Sequence, residues 1–97
     1  MIHGNKQQKE KSALEKKIAL EIICEKGFKR VVEFGCGLGD YTAQLNHAAG
    51  SALGIDISET AIEKANARHP DTEFVVGDIL DFDLLRNYQS DCIVFAE

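Results

Sequence analysis

The chain has 97 residues, of which 44% are hydrophobic and 28% charged, as in one small globular domain or part of a larger one. Its net charge of −5 disfavours nucleic acid as a partner, because an acidic surface gains nothing from counterion release. The three cysteines lack the spacing of a disulfide framework or a metal site, so we expect reduced thiols in a cytoplasmic protein. The sequence predicts neither a secretory signal nor a membrane span.

The first third of the sequence predicts a polar tail followed by an amphipathic helix. Residues 1–11 are polar and rich in lysine, and we expect a flexible tail there. Beyond them, Leu14, Ile18 and Ile22 recur every four residues, and Ala19 with Ile23 continues an adjoining ridge, which indicates an amphipathic helix of about four turns. Gly27 is suited to end this helix. The apolar face is expected to pack against the rest of the domain.

Strands and helices then alternate along the chain. Short, almost wholly apolar strands separated by helices indicate a parallel sheet that is covered on both faces. Residues 12–97 therefore predict an α/β, Rossmann-like fold with three αβα layers. The strands are expected in VVEF, SALGIDI, EFVV and DCIVFAE. The helices are expected in 40–49, from about residue 58 to just before Pro70, and in 83–88. Either Ser58 as an N-cap or Thr60 with Glu63 as a capping box would start the second of these helices.

The loop after the first strand, in RVVEFGCGLGDYT, is rich in glycine. Gly35, Gly37 and Gly39 alternate with other residues, and glycine adopts positive φ angles and lets a ligand approach the backbone. The dinucleotide fingerprint has its third glycine where this sequence has Asp40, and the lysine of a P-loop is absent from this loop. Glu33 lies two residues before the first glycine. The spacing argues against an NAD or FAD site, which stays as the alternative.

The string E-x-G-x-G-x-G after an apolar strand resembles the first motif of the class I S-adenosyl-L-methionine (SAM)-dependent methyltransferases. In the same family order, GIDIS resembles the second motif, VGDIL the third, and DCIVFAE the fourth strand. The resemblance runs from about residue 12 to the end of the sequence. It implies the strand order 3-2-1-4, which is the N-terminal, cofactor-binding half of the family's seven-stranded sheet.

The resemblance also implies a cofactor site at the ends of the strands. Asp56 would accept hydrogen bonds from two ribose hydroxyls, which suits a carboxylate because it can accept one from each. Asp78 would meet the exocyclic amine of adenine, with Ile79 beside the ring. The implied ligands are SAM and its product S-adenosylhomocysteine, and no metal. The implied cofactor-binding residues are Glu33, Gly35, Cys36, Gly37, Gly39, Asp56, Ile57, Asp78, Ile79 and Glu97.

Each of these residues also has a purely structural interpretation. The glycines could form a tight turn, Asp56 could cap a helix, and Asp78 could be a turn residue. Cys36 stands at a helix N-terminus, which lowers the pKa of a thiol, but no histidine is close in sequence. We therefore expect Cys36 to be a small loop residue and not a nucleophile.

The parts of the family that bind and activate the methyl acceptor follow its fourth strand. No catalytic residue is therefore predicted, and the chain is expected to be a fragment that is inactive alone.

The sequence also bears on the partners of the domain. Its acidic charge favours a small-molecule acceptor over nucleic acid. Residues 92–96 would form an apolar edge strand, which is expected to pair with the missing C-terminal half or with another chain. A non-catalytic binding or assembly module is the second alternative.

Overall fold

The computed structural model describes residues 6–95, which form four helices and four strands. From residue 30 to residue 95, the predicted and observed bounds agree to within two residues, and the predicted end of the last strand at residue 97 lies outside the described residues. The helices are α1 (Lys6–Lys26), α2 (Asp40–Ala49), α3 (Glu59–Arg68) and α4 (Phe82–Tyr88), and the strands are β1 (Val31–Phe34), β2 (Ala52–Asp56), β3 (Glu73–Val76) and β4 (Cys92–Phe95).

Helix α1 begins earlier than the sequence predicts. It starts at Lys6, so residues 6–11 are helical and do not belong to a tail. The reason is compositional, because lysine, glutamine and glutamate are good helix formers and no glycine or proline interrupts the segment. Residues 1–5 lie outside the described part of the chain. No helix within residues 6–95 is long and apolar enough to cross a membrane.

The four strands form one parallel sheet in the order β3-β2-β1-β4, as predicted. Val31 of the central strand β1 lies beside Ala52 of β2 and Cys92 of β4. All four side chains of β1 are buried, as expected of an inner strand in a sheet covered on both faces. Because the strands are parallel, their carboxyl ends meet at one edge of the sheet.

The core lies on both faces of the sheet, because successive side chains of a strand point to opposite sides. One cluster joins α1 and α2 to the sheet, and the other joins α4 to the opposite face. Together they confirm the three layers. The first cluster is Ile23, Val31, Tyr41, Leu45 and Ala52, and the second is Val32, Phe34, Leu53, Ile55 and Tyr88.

Of the apolar residues predicted to face the domain from α1, Ile23 of the adjoining ridge is buried, but the main stripe is not. Leu14, Ile18 and Ile22 are 58%, 47% and 46% exposed. The helix packs instead through Leu20 and Ile23, which join the cluster with β1 and α2. Periodicity correctly placed the three side chains on one face, but no described element covers that face. We call Leu14, Ile18 and Ile22 the outer ridge of α1.

Candidate functional site

A cavity of about 210 Å³ lies at the carboxyl ends of β1, β2 and β3. It brings together five of the residues predicted from the motifs: Gly35, Asp56, Ile57, Asp78 and Ile79. Both isoleucines are exposed, at 76% and 49%, so they offer apolar surface to a ligand. The lining is completed by Phe34, Ile55 and Gly77.

All three glycines of the loop adopt positive φ angles. The values are 75° for Gly35, 56° for Gly37 and 84° for Gly39. An L-residue rarely adopts this conformation, so the backbone itself requires glycine here. A Cβ atom at Gly37 would meet nothing within 4 Å, so the space beside this residue is open.

Gly39 has a second reason to be glycine. A Cβ atom there would overlap the ring of Phe74 from β3 and would lie 3.1 Å from Ala65 of α3. Gly54 on β2 faces the same ring, with its Cβ position 2.6 Å from Phe74 Cδ1. The close approach at Gly39 is therefore to a core side chain. A direct contact between Gly39 and a cofactor stays a prediction.

The amide groups of the loop are already hydrogen-bonded within the protein. The N–H groups of Gly35 and Cys36 donate to the carbonyl of Ile55, at 2.7 and 3.1 Å, and that of Gly39 donates to the carbonyl of Cys36 at 2.9 Å. Gly37 N–H donates to Asp56 Oδ2 at 2.9 Å. A phosphate-binding loop needs N–H groups that point at the ligand. In this loop the N–H groups of Gly35, Cys36 and Gly37 point towards the end of β2, and that of Gly39 closes a turn within the loop.

Asp56 ends β2 and is held by backbone groups on two sides. Oδ2 accepts the N–H of Gly37, and Oδ1 accepts the N–H of Ser58 at 2.9 Å. Of the two predicted starts of α3, the structure has the N-cap at Ser58, whose hydroxyl accepts the N–H of Ala61. Since each carboxylate oxygen has two lone pairs, both oxygens can accept a further hydrogen bond from a ligand.

Asp78 follows β3 on the neighbouring side of the cavity. Its Oδ1 accepts the N–H of Leu80 at 2.9 Å, which fixes the start of the segment leading to α4. The side chain is otherwise exposed. Two carboxylates, Asp56 and Asp78, and no basic side chain therefore line the described cavity.

Glu33 lies within β1 and not at the cavity. The residue is 1% exposed and its carboxylate accepts a hydrogen bond from Thr42 Oγ1 of α2 at 2.5 Å. Burial raises the pKa of Glu33, and the hydrogen bond from Thr42 and the positive charge of Lys16 oppose that rise. Its side chain is thus enclosed between the sheet and α2, and its predicted contact with the cofactor stays a prediction.

Cys36 is buried, and its thiol does not have the low pKa expected at a helix N-terminus. Burial raises the pKa of this thiol to about 12, and the negative charges of Asp56 and Glu33 add to the effect. Desolvation therefore outweighs the helix dipole, and the thiol stays protonated and unreactive. Glu97, the last predicted site residue, lies outside the described residues.

An ion pair that sequence analysis missed joins α2 to α3. Arg68 Nη2 lies 2.9 Å from both carboxylate oxygens of Asp40, and His69 Nε2 lies 2.6 Å from Oδ1. These hydrogen bonds, first from His69 and then from Arg68, lower the pKa of Asp40. The carboxylate that replaces the third glycine of the dinucleotide fingerprint therefore has partners of its own. No local pattern signals a contact between residues 28 positions apart.

A larger groove, of about 530 Å³, lies at the opposite end of the sheet. Arg30, Glu73 and Tyr88 line it near the start of β1 and β3. None of the motif residues reaches it, so the smaller cavity is the better candidate site. Among residues 6–95 no group of histidine, cysteine and acidic side chains is arranged to hold a metal ion.

Comparison with protein families identifies the domain. The family model of the methyltransferase domain matches residues 31–97, which is more than half of the chain. The chain belongs to the methyltransferase domain family. The match begins with β1 and includes the glycine loop and both carboxylates of the cavity.

Individual relatives agree with this family. Over 71 residues, the methyltransferase domain is 39% identical to trans-aconitate 2-methyltransferase of Deinococcus radiodurans, in a match covering 66% of this chain and 28% of that enzyme. The chain thus spans less than a third of this relative. It also matches phosphoethanolamine N-methyltransferase 1 of Zea mays at 28% identity, over 70% of this chain and 14% of that enzyme.

A solved structure shows the same fold. The O-methyltransferase from Bacillus cereus in complex with SAH has a TM-score of 0.68 at 18% identity, and the match covers 86% of this chain and 44% of that chain. At this identity the likeness concerns the fold. It supports the parallel, Rossmann-like sheet.

Proposed function

We propose that this domain binds SAM and S-adenosylhomocysteine in the cavity at the ends of β1, β2 and β3. The observation that carries the proposal is the position of Asp56. Its two oxygens keep free lone pairs at the cavity, so they can accept hydrogen bonds from two neighbouring ribose hydroxyls. Asp78 offers an acceptor for an amine, and Ile57 and Ile79 offer apolar walls for a flat ring.

The same observations argue against the dinucleotide alternative. A pyrophosphate needs free N–H groups, whereas those of Gly35, Cys36, Gly37 and Gly39 are already hydrogen-bonded within the protein. Asp56 could bind the ribose of either ligand, but the carboxylate of Asp40 stands where the dinucleotide fingerprint has its third glycine and would lie close to a pyrophosphate. SAM carries positive sulfonium and ammonium groups, which an acidic site favours. We therefore prefer SAM to NAD or FAD as the ligand.

We propose that the methyl acceptor is a small molecule. The net charge of −5 disfavours a nucleic acid, and two relatives are named for trans-aconitate and phosphoethanolamine. Bound SAM would supply an electrophilic methyl group, and the residues of this chain would bind and orient the cofactor.

We further propose a cytoplasmic location. The three cysteines are free thiols, which supports a reducing compartment.

Calorimetric titration tests the cofactor assignment. We expect wild-type protein to bind S-adenosylhomocysteine and not NAD, and Asp56→Ala to weaken binding by about 1–3 kcal/mol, the range for hydrogen bonds to a charged group. Asp83→Ala is the control, because it removes the same charge from an exposed pair with Arg86 on α4. Equal affinity of Asp56→Ala and wild type for S-adenosylhomocysteine would refute the ribose assignment.

We also propose that β4 pairs with a strand from the remainder of a methyltransferase domain. Within the described residues β4 pairs with β1 alone, and Ile93 and Phe95 are 45% and 60% exposed on the α4 face. On the opposite side of the sheet, the outer ridge of α1 is likewise covered by no described element. The matched relatives are several times longer than the match, so they have further chain that could supply such a strand.

Self-association of the isolated chain tests the pairing surface. Unpaired apolar edges pair with one another, so we expect the oligomeric mass in sedimentation experiments to rise with protein concentration. Ile93→Lys should shift the chain towards monomer, because a charge on the edge opposes pairing. Leu80→Lys, at a residue 70% exposed and outside β4, should not. A wild-type chain that stays monomeric at every concentration would contradict the proposal.

A further inference from the structure

Two side chains contact the backbone of Gly37 in the middle of the glycine loop: the Cys36 thiol lies 3.9 Å from its carbonyl oxygen, and Asp56 accepts its N–H. Gly35 and Cys36 are tied to the backbone of β2 through Ile55, and the Cβ position of Gly39 lies against Phe74. Gly37 lies between these anchors with open space where a side chain would be. The hydrogen bond that the structure shows for its N–H ends on Asp56 Oδ2, at 2.9 Å.

The carboxylate of Asp56 is itself held in one orientation. Gly37 N–H and Ser58 N–H bind different oxygens of the group, both at 2.9 Å. One donor belongs to the loop after β1 and the other to the residue that caps α3. Rotation of the carboxylate would break both bonds, so the group connects these two backbone segments as a fixed acceptor.

We propose that Asp56 is the positioning residue of the glycine loop. It holds Gly37 in place in the free protein, and its remaining lone pairs allow it to keep this bond while it accepts two ligand hydroxyls. The second half of this statement rests on the proposed cofactor. On this basis the loop is ordered before the ligand binds. The same carboxylate then hydrogen-bonds both to the loop and to the ribose, so it fixes the position of one relative to the other.

Amide hydrogen exchange on the ligand-free protein tests the positioning role. In wild type, we expect the Gly37 amide to exchange at least about tenfold more slowly than an unstructured glycine. Asp56→Ala should raise the Gly37 rate by about 10- to 100-fold, whereas the Gly35 and Cys36 amides, bonded to Ile55, should change far less. Asp56→Asn keeps one acceptor oxygen and should restore part of the protection.

Asp78→Asn is the matched control, because it removes a carboxylate from the same cavity without touching the loop. It should leave the exchange of Gly37 at the wild-type rate. An unprotected Gly37 amide in wild type would overturn the proposal, even if every variant failed to fold. Fast exchange of Gly37 in Asp56→Ala, with unchanged affinity for S-adenosylhomocysteine, would support the positioning role and refute the ribose contact.

Discussion

Replacing Gly39 with alanine is expected to lower the free energy of unfolding by about 2–5 kcal/mol. Two costs combine at this position. The backbone has a φ of 84°, which an L-residue adopts only with strain, and the new methyl group would overlap the ring of Phe74. A domain of this size has a total stability of about 5–15 kcal/mol, so the variant would be partly unfolded under mild denaturing conditions.

Gly37→Ala separates the two costs. Its φ of 56° imposes backbone strain, but its Cβ position has no neighbour within 4 Å. We therefore expect a smaller loss of about 1–2 kcal/mol, measured with Gly39→Ala by urea denaturation. Equal losses for the two variants would show that the ring of Phe74 adjusts and that close packing does not explain Gly39.

Replacing Glu33 with glutamine is expected to raise the free energy of unfolding at neutral pH by about 1–3 kcal/mol. This is the typical cost of a buried polar group whose hydrogen bonds do not fully replace its lost hydration. The folded state raises the pKa of Glu33 above its ordinary value of 4.5. Folding therefore favours the protonated form, and this contribution is fully present below pH 4.5 and is lost as the pH rises through the folded-state pKa. Glutamine does not titrate and keeps an oxygen that can accept the Thr42 hydroxyl.

Urea denaturation across pH 4–8 measures this effect. The stability of wild type should fall below that of Glu33→Gln as the pH rises. Thr42→Val should act in the opposite direction at neutral pH, because it removes the hydrogen bond to the buried carboxylate. Parallel curves for wild type and Glu33→Gln would contradict the account of Glu33 as a buried charge.

Local signals in the sequence predicted the parts of the fold that depend on neighbouring residues. The apolar run of β1, the positive φ angles at Gly35 and Gly37, and the cap at Ser58 are all visible within a few positions of the chain. The resemblance to the methyltransferase motifs implied that Asp56 and Asp78 share one site, and the structure places both at one cavity because their parallel strands end on the same side.

Features that depend on distant contacts were missed or misread. The pairing of Asp40 with Arg68 joins two helices and has no local pattern. The pKa of Cys36 was misjudged because burial depends on the whole fold, whereas helix position can be read from the sequence. The outer ridge of α1 shows the same limit, since periodicity identifies a face but not the element that covers it.

The ring of Phe74 has a consequence for how this domain can change in evolution. It fills the space beside Gly39 and Gly54, which belong to different segments of the chain. A larger residue at either glycine becomes tolerable in space only if position 74 carries a smaller side chain. Positions 54 and 74 should therefore vary together among homologues, together with position 42, whose hydroxyl lies 2.9 Å from the Cβ position of Gly54. Position 39 should stay glycine even beside a shortened residue 74, because its φ of 84° strains any L-residue.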